Sequence, residues 1–283
     1  MKALGQEFRK LFRPAYILLI IVGVLVLCLV ETGYADYRNG TEYTVLSLIA
    51  KAGDEKFRNE VQVTDLELWC AGTGQWLVMF LPAVASSGYL LVLSEEQKHR
   101  NRTFMLMRSG ITRYCVSKAV SACIVSGLCC MAGYAVYGLL TAAVFPHISR
   151  CGSDITETIL MQLGGTSVWD VVWKRLLGMF AFGMACALPG YVLGFLFNDK
   201  YVLVCVPVLV SYLYGQVMNE LTVHASSQTA SIVCNAANMQ LLKMGPWSRY
   251  WYITVGIMIL LWAAGTVAFT VSLRMKRSKG VLA

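Results

Sequence analysis

Six stretches of the chain are apolar over the length of a membrane-crossing helix: approximately Pro14 to Val30, Trp76 to Ser94, Tyr114 to Val144, Leu176 to Asn198, Tyr201 to Asn219 and Tyr250 to Leu273. About 20 such residues at 1.5 Å each cover the roughly 30 Å of a hydrocarbon core. A water-soluble fold needs about a quarter of its residues charged to cover its surface. Here 14% are charged and 57% are apolar over 283 residues. The expectation is an all-α, polytopic membrane protein with six transmembrane helices, forming a single transmembrane domain over residues 1–283. A soluble enzyme is excluded on the same grounds. The third stretch is long enough to tilt or to begin outside the bilayer.

Lysine and arginine in short loops resist translocation, so their distribution sets orientation. With the N-terminus inside, the inner segments hold 15 of the 24 basic residues and 4 of the 16 acids, and the outer segments hold the rest. The inner face then nets +11 and the outer face −3, which accounts for the overall +8. The excess of base therefore reports orientation, not nucleic-acid binding, and both termini are expected in the cytoplasm of a multi-pass plasma-membrane protein. Six of the seven tryptophans, Trp69, Trp76, Trp169, Trp173, Trp247 and Trp251, fall near the outer boundary of this arrangement, where an amphipathic indole is favoured. The basic N-terminus leads into a full-length span with no small-residue cleavage site after it, so the first span is expected to remain as an anchor.

The spans carry almost no ionisable residue at mid-depth, whereas proton relays, voltage sensors and ion sites need them. Lys118 sits about one turn into the third span and is expected to snorkel its ammonium back to the surface. Small residues, among them Ser86, Ser87, Gly88, Ser121, Ser126, Gly127, Gly133, Gly138, Gly183 and Gly190, fit close helix packing. Pro82, Pro189 and Pro207 fit local kinks.

Two basic segments carry further information. In residues 1–13, Leu4, Phe8, Leu11 and Phe12 fall on one helical sector and Lys2, Arg9, Lys10 and Arg13 on the other. This is the pattern of a helix lying in the membrane surface, or of a plain basic topology signal. In the inner loop 95–113, Thr103 can cap a short helix through Phe104, Met105, Leu106, Met107 and Arg108, Gly110 can close it, and Thr112 can cap the third span. Four consecutive apolar residues in a charged loop need a cover, and a groove on a partner protein supplies one.

This loop resembles the permease subunits of ATP-binding-cassette (ABC) exporters, specifically the second exporter class, with six spans and a separate ATPase. The resemblance rests on the acidic pair Glu95 and Glu96 at the end of the second span, the short amphipathic segment, the Arg108-Ser109-Gly110 turn, and the Arg113-Tyr114 step leading to Lys118. It implies an ATPase-coupling contact at Glu95, Glu96, Arg102, Thr103, Met105, Met107, Arg108, Gly110 and Arg113. It also implies a cytoplasmic ABC ATPase subunit as partner, a second permease copy or related permease as dimer mate, and export of an amphipathic or hydrophobic cargo such as a peptide, antibiotic or lipid. The long outer loop from Glu31 to Gly74 departs from the pattern. A non-transporting membrane scaffold or sensor is the alternative, and such a protein would not need the apolar coupling segment.

No Gly-x4-Gly-Lys-Ser/Thr string occurs, so the chain is expected to carry no nucleotide site or cofactor, with ATP and Mg on the partner. Paired groups for intramembrane catalysis are also missing from the spans, and no substrate residue can be named. Cys28, Cys115, Cys123, Cys129, Cys130, Cys186 and Cys205 lie in apolar segments as small hydrophobes. Cys70, Cys151 and Cys234 lie outside them, where two could pair in an oxidising exterior or all three remain thiols. The outer loops, 31–75, 145–175 and 220–249, give little pattern. The last of these can hold short helices ahead of the final span.

Overall fold

Arg13 and Pro14 break the first helix from the second: proline lacks the N–H that a continuous helix requires but suits the first helical position. Helices α1 (Lys2–Leu11) and α2 (Pro14–Val30) meet there, and the pair is bent by 60°. The computed structural model describes residues 2–36, 40–54, 63–98, 110–150, 153–193, 200–225, 227–246 and 249–278.

After α2 come an antiparallel hairpin, β1 (Thr32–Asp36) and β2 (Thr41–Thr44), then α3 (Val45–Lys51) and α4 (Asp65–Ala71). The long helices α5 (Gln75–Lys98) and α6 (Ile111–Val144) follow. A 3-10 turn and α7 (Ser153–Gln162) lead into α8 (Val168–Leu193). The chain ends with α9 (Lys200–Val223), α10 (Gln228–Ala237), a 3-10 segment (Met239–Met244) and α11 (Arg249–Ser278). The molecule is mostly helical, and Tyr34 pairs with Tyr43 in the hairpin, the one sheet among the described residues.

Among the described residues four helices, α5, α6, α8 and α11, are long and apolar enough to cross a membrane, and the bent pair α1–α2 meets the same measure when taken together. Helix α9 corresponds to the fifth apolar stretch and is not one of these four. Several span boundaries lie outside their expected places, among them the start of α6 at Ile111 and the end of α11 at Ser278. The largest change is at α8, which starts at Val168 and not near Leu176. Asp170 there accepts from the Thr166 N–H and pairs with Lys174 at 2.7 Å, holding two extra turns in helix. At 34 residues α6 is about 50 Å long, well beyond a hydrocarbon core.

The bundle's interior is built by α2, α5, α6 and α8, with α9 beside α5 and α8, and α11 on the outside. In lipid there is no hydrophobic gain from joining two apolar helices, so packing and hydrogen bonds decide the contacts. The small residues serve this. A Cβ on Gly127 of α6 would stand 2.8 Å from the Phe180 carbonyl of α8, and one on Gly183 of α8 would stand 2.7 Å from Cys130 Cβ. Ser126 Oγ donates to the Ala85 carbonyl at 2.6 Å, joining α6 to α5. Such a bond contributes about 0.6 kcal/mol in a bundle.

The start of α1, the end of α5, the start of α6 and the end of α11 share one end of the bundle, where Arg274 donates to Thr112 Oγ1 at 3.3 Å. We refer to it as the basic end. At the opposite end the segment after α2 is folded, not a loose loop. Thr64 and Glu67 form a capping box at the start of α4. The far end of α4 is clasped by α6: Tyr134 and Tyr137 donate to the carbonyls of Trp69 and Leu68, and the Trp69 indole donates to the Tyr134 carbonyl. Trp69 and Trp251 are buried in the protein, whereas Trp76, Trp169 and Trp173 are exposed.

Candidate functional site

At the basic end, four ionisable side chains from three helices meet, three of them nearly sealed from solvent and Lys10 partly exposed. Lys118 of α6 is 1% exposed, with Nζ 2.6 Å from Glu96 Oε2 and 3.1 Å from Glu7 Oε2. Lys10 Nζ lies 2.8 Å from Glu96 Oε1 and 3.3 Å from Glu7 Oε1. Tyr114 Oη donates to Glu96 Oε2 at 3.2 Å, and the Lys118 ammonium stands 5.2 Å from the Tyr114 ring centre. Two acids and two bases make the set neutral. That balance is what lets charge be buried, since an isolated ion in such surroundings is costly and a paired, hydrogen-bonded one is not.

This arrangement corrects two expectations. Lys118 does not snorkel to the surface; it turns inward onto carboxylates from α1 and α5. Helix α1 does not present a clean apolar sector to a membrane surface either. Its inward face carries Glu7 and Leu11, both buried, and packs on α6 and α5, while Phe12 is exposed and Lys10 turns inward. Leu4, Glu7 and Leu11 follow helical spacing, so an acid aligned with an apolar stripe was the available signal for this site.

The adjacent acid behaves differently. Glu95 is exposed, takes Arg13 at 2.7 Å and accepts from Tyr16 Oη at 2.7 Å. Consecutive helix positions diverge by 100°, so Glu96 faces the bundle and Glu95 faces outward. Both ends of the 95–113 segment are thereby fixed, one by these acids and the other by α6.

Of the remaining expected contact residues, Gly110 immediately precedes α6 with φ +75° and ψ 151°, a backbone region that glycine alone enters readily. It, not Thr112, stands at the helix start; Thr112 is already in the first turn. Arg113 is exposed on the same turn. Arg102, Thr103, Met105, Met107 and Arg108 lie outside the described residues.

A second buried polar cluster closes the opposite end. Glu31, just past α2, is 4% exposed and accepts from the Leu77 N–H at 2.7 Å, so its carboxylate caps the start of α5. A Cβ on Gly74 would clash with Glu31 Oε2, so a larger residue there requires the carboxylate to shift from its place. Burial pushes the Glu31 carboxyl up, against the opposing pull of the backbone N–H groups and of Lys243. Lys243 donates to the Thr73 carbonyl, and burial brings its ammonium down to about 8. Arg175 of α8 reaches Met244 Sδ at 3.1 Å in the same region.

Cys70 is buried here and burial pushes its thiol up. Cys70 and Cys234 are both free thiols, so the pairing of those two is not formed, and Cys151 lies outside the described residues. Cys205 lies in α9, as expected of a thiol in an apolar segment, and is exposed. Among the described residues no group of three or more His, Cys, Asp or Glu side chains is placed to hold a metal.

Comparison with protein-family models, with curated proteins and with solved structures returns no match to this chain.

Proposed function

We propose that the chain is the membrane-embedded permease subunit of an ATP-driven exporter, with both termini cytoplasmic, six spans in the plasma membrane and ATP hydrolysed by a separate soluble subunit. The six passes are α2, α5, α6, α8, α9 and α11. The two chain ends lie at the same end of the bundle, as an even number of passes requires.

The observation that carries the reading is the way the 95–113 segment is attached. Its first residues are bound to α1 and α6 through Glu95, Glu96 and Lys118, and its last residues enter α6 without a break. A push on this segment passes into α5 and α6 together, and α1 moves with them. That is the mechanical requirement on a loop that receives force from an ATPase. Arg102, Thr103, Met105, Met107 and Arg108 would make the contact, flanked by Gly110 and Arg113, with the two methionines filling an apolar groove on the ATPase. A second copy, or a related permease, would complete the pathway against the exposed apolar faces of α9 and α11, and an amphipathic or hydrophobic cargo suits spans that carry almost no charge at mid-depth.

The test is purification of the tagged chain from its native membrane under mild detergent, beside a Met105→Asp/Met107→Asp variant. A soluble ATPase should accompany the parent chain and be lost from the variant, with both reaching the membrane equally. An ATPase retained by the variant, or export that survives the double substitution, overturns the assignment.

A further inference from the structure

About 30 Å along α6 from Lys118, at 1.5 Å per residue, a groove of about 720 Å³ opens between α4, the last turns of α6 and the first turns of α8. Its volume lies in the range that encloses small organic ligands. The walls are apolar, formed by residues such as Leu139 and Ala142 of α6 and Trp169, Val172 and Leu176 of α8. At one edge stands a single carboxylate, Asp65.

The carboxylate is rigidly held and half used. Oδ1 accepts from the Leu66 N–H at 2.8 Å and from the Ile148 N–H at 3.1 Å. Oδ2 has His147 Nε2 at 3.9 Å, too far for a hydrogen bond. His147 Nδ1 is engaged by its own loop, 2.9 Å from Ser149 Oγ and accepting from the Ser149 N–H at 3.2 Å. Asp65 thus places a carboxylate at the edge of an apolar slot, with Oδ2 open to a donor, and Trp169, 73% exposed, lines the same slot. An ammonium suits both groups, by a charge-assisted hydrogen bond to the carboxylate and by attraction to the indole face.

We propose that this groove binds a cationic amphiphile, with the ammonium on Asp65 Oδ2 and the hydrocarbon chain lying between α6 and α8. The site is separate from the 95–113 segment, and no ATPase enters its test, so failure here leaves the exporter reading untouched and the converse also holds.

The experiment uses the full chain in a non-ionic detergent with two photoactivatable probes, diazirine derivatives of dodecylamine and of dodecanol, and maps the labelled residues by mass spectrometry. The amine should label Leu139, Ala142 and Trp169 at roughly one-tenth the concentration the alcohol needs, since one hydrogen bond to a charged group changes affinity by about that factor. Asp65→Asn keeps the Oδ1 acceptor and should make the two probes equal. Ala142→Trp fills the slot with Asp65 intact and should abolish labelling by both, with unchanged thermal unfolding showing that the bundle is folded. Equal labelling by both probes in the parent chain, an amine preference that survives Asp65→Asn, or labelling concentrated on α11 overturns the proposal.

Discussion

Lys118 and Glu96 stand on consecutive long helices, 2.6 Å apart and both nearly sealed from solvent, and the same lysine holds Glu7 of the N-terminal helix at 3.1 Å. One ammonium therefore joins three helices. Removing it leaves two carboxylates sharing only Lys10.

Lys118→Met is expected to destabilise the protein by about 3–5 kcal/mol, the usual result of stripping one partner from a buried pair. Denaturant unfolding in detergent measures this, and protease cleavage between α1 and α2 should rise in parallel. Adding Glu7→Gln restores neutrality and should return part of the loss. An unchanged unfolding midpoint for Lys118→Met would show that the cluster does not hold α1.

Arg13 and Glu95 are also 2.7 Å apart, yet both are about half exposed. Water and salt weaken such a pair. Glu95→Gln should leave thermal unfolding as it is, in contrast to Lys118→Met. A measurable loss of export or of ATPase retention with unchanged unfolding would place Glu95 in the contact and not in the scaffold.

Gly74→Ala brings a methyl group into clash with Glu31 Oε2 and requires the carboxylate to shift from its place at the start of α5. The expected cost is about 1–3 kcal/mol, the penalty for orphaning buried hydrogen-bonding groups. Gly53→Ala meets nothing within 4 Å and serves as the control. Equal unfolding of the two variants would remove Glu31 from its capping role.

Lys243 has a folded-state pKa of about 8 against 10.5 in its ordinary state. The unfolded chain thus binds this proton more tightly, so its contribution to stability rises with pH from about 8 to about 10.5, and its burial penalty is full below that window. The penalty is roughly 3 kcal/mol at most. Lys243→Met lacks the titration, so the advantage of the variant over the parent should shrink between pH 8 and 10. A difference in melting temperature that stays flat across this range would contradict the assignment.

The long apolar stretches were legible because their composition has one solution in lipid, and α5, α6, α8 and α11 occupy the places their hydropathy marks. The small residues were read for packing, and Gly127, Gly183 and Ser126 fulfil that. Position within a stretch was harder. Periodicity places Lys118 near a surface, but only the fold brings Glu7 and Glu96 to meet it, since those residues lie 111 and 22 positions earlier in the chain. The structure between Glu31 and Gly74 was missed although Thr64-Asp65-Leu66-Glu67 is a capping-box sequence, which alone announces α4. Lys243 and Arg175 gave no local signal, because burial of a cation depends on what packs over it.

The order of Glu7, Glu96 and Lys118 along the chain has a bearing on biogenesis. Synthesis proceeds from the N-terminus, so both acids have left the ribosome before the lysine does. The ammonium therefore never needs to enter apolar surroundings ahead of its counter-charges, and the third long apolar helix can be inserted as the partner of a site already waiting for it.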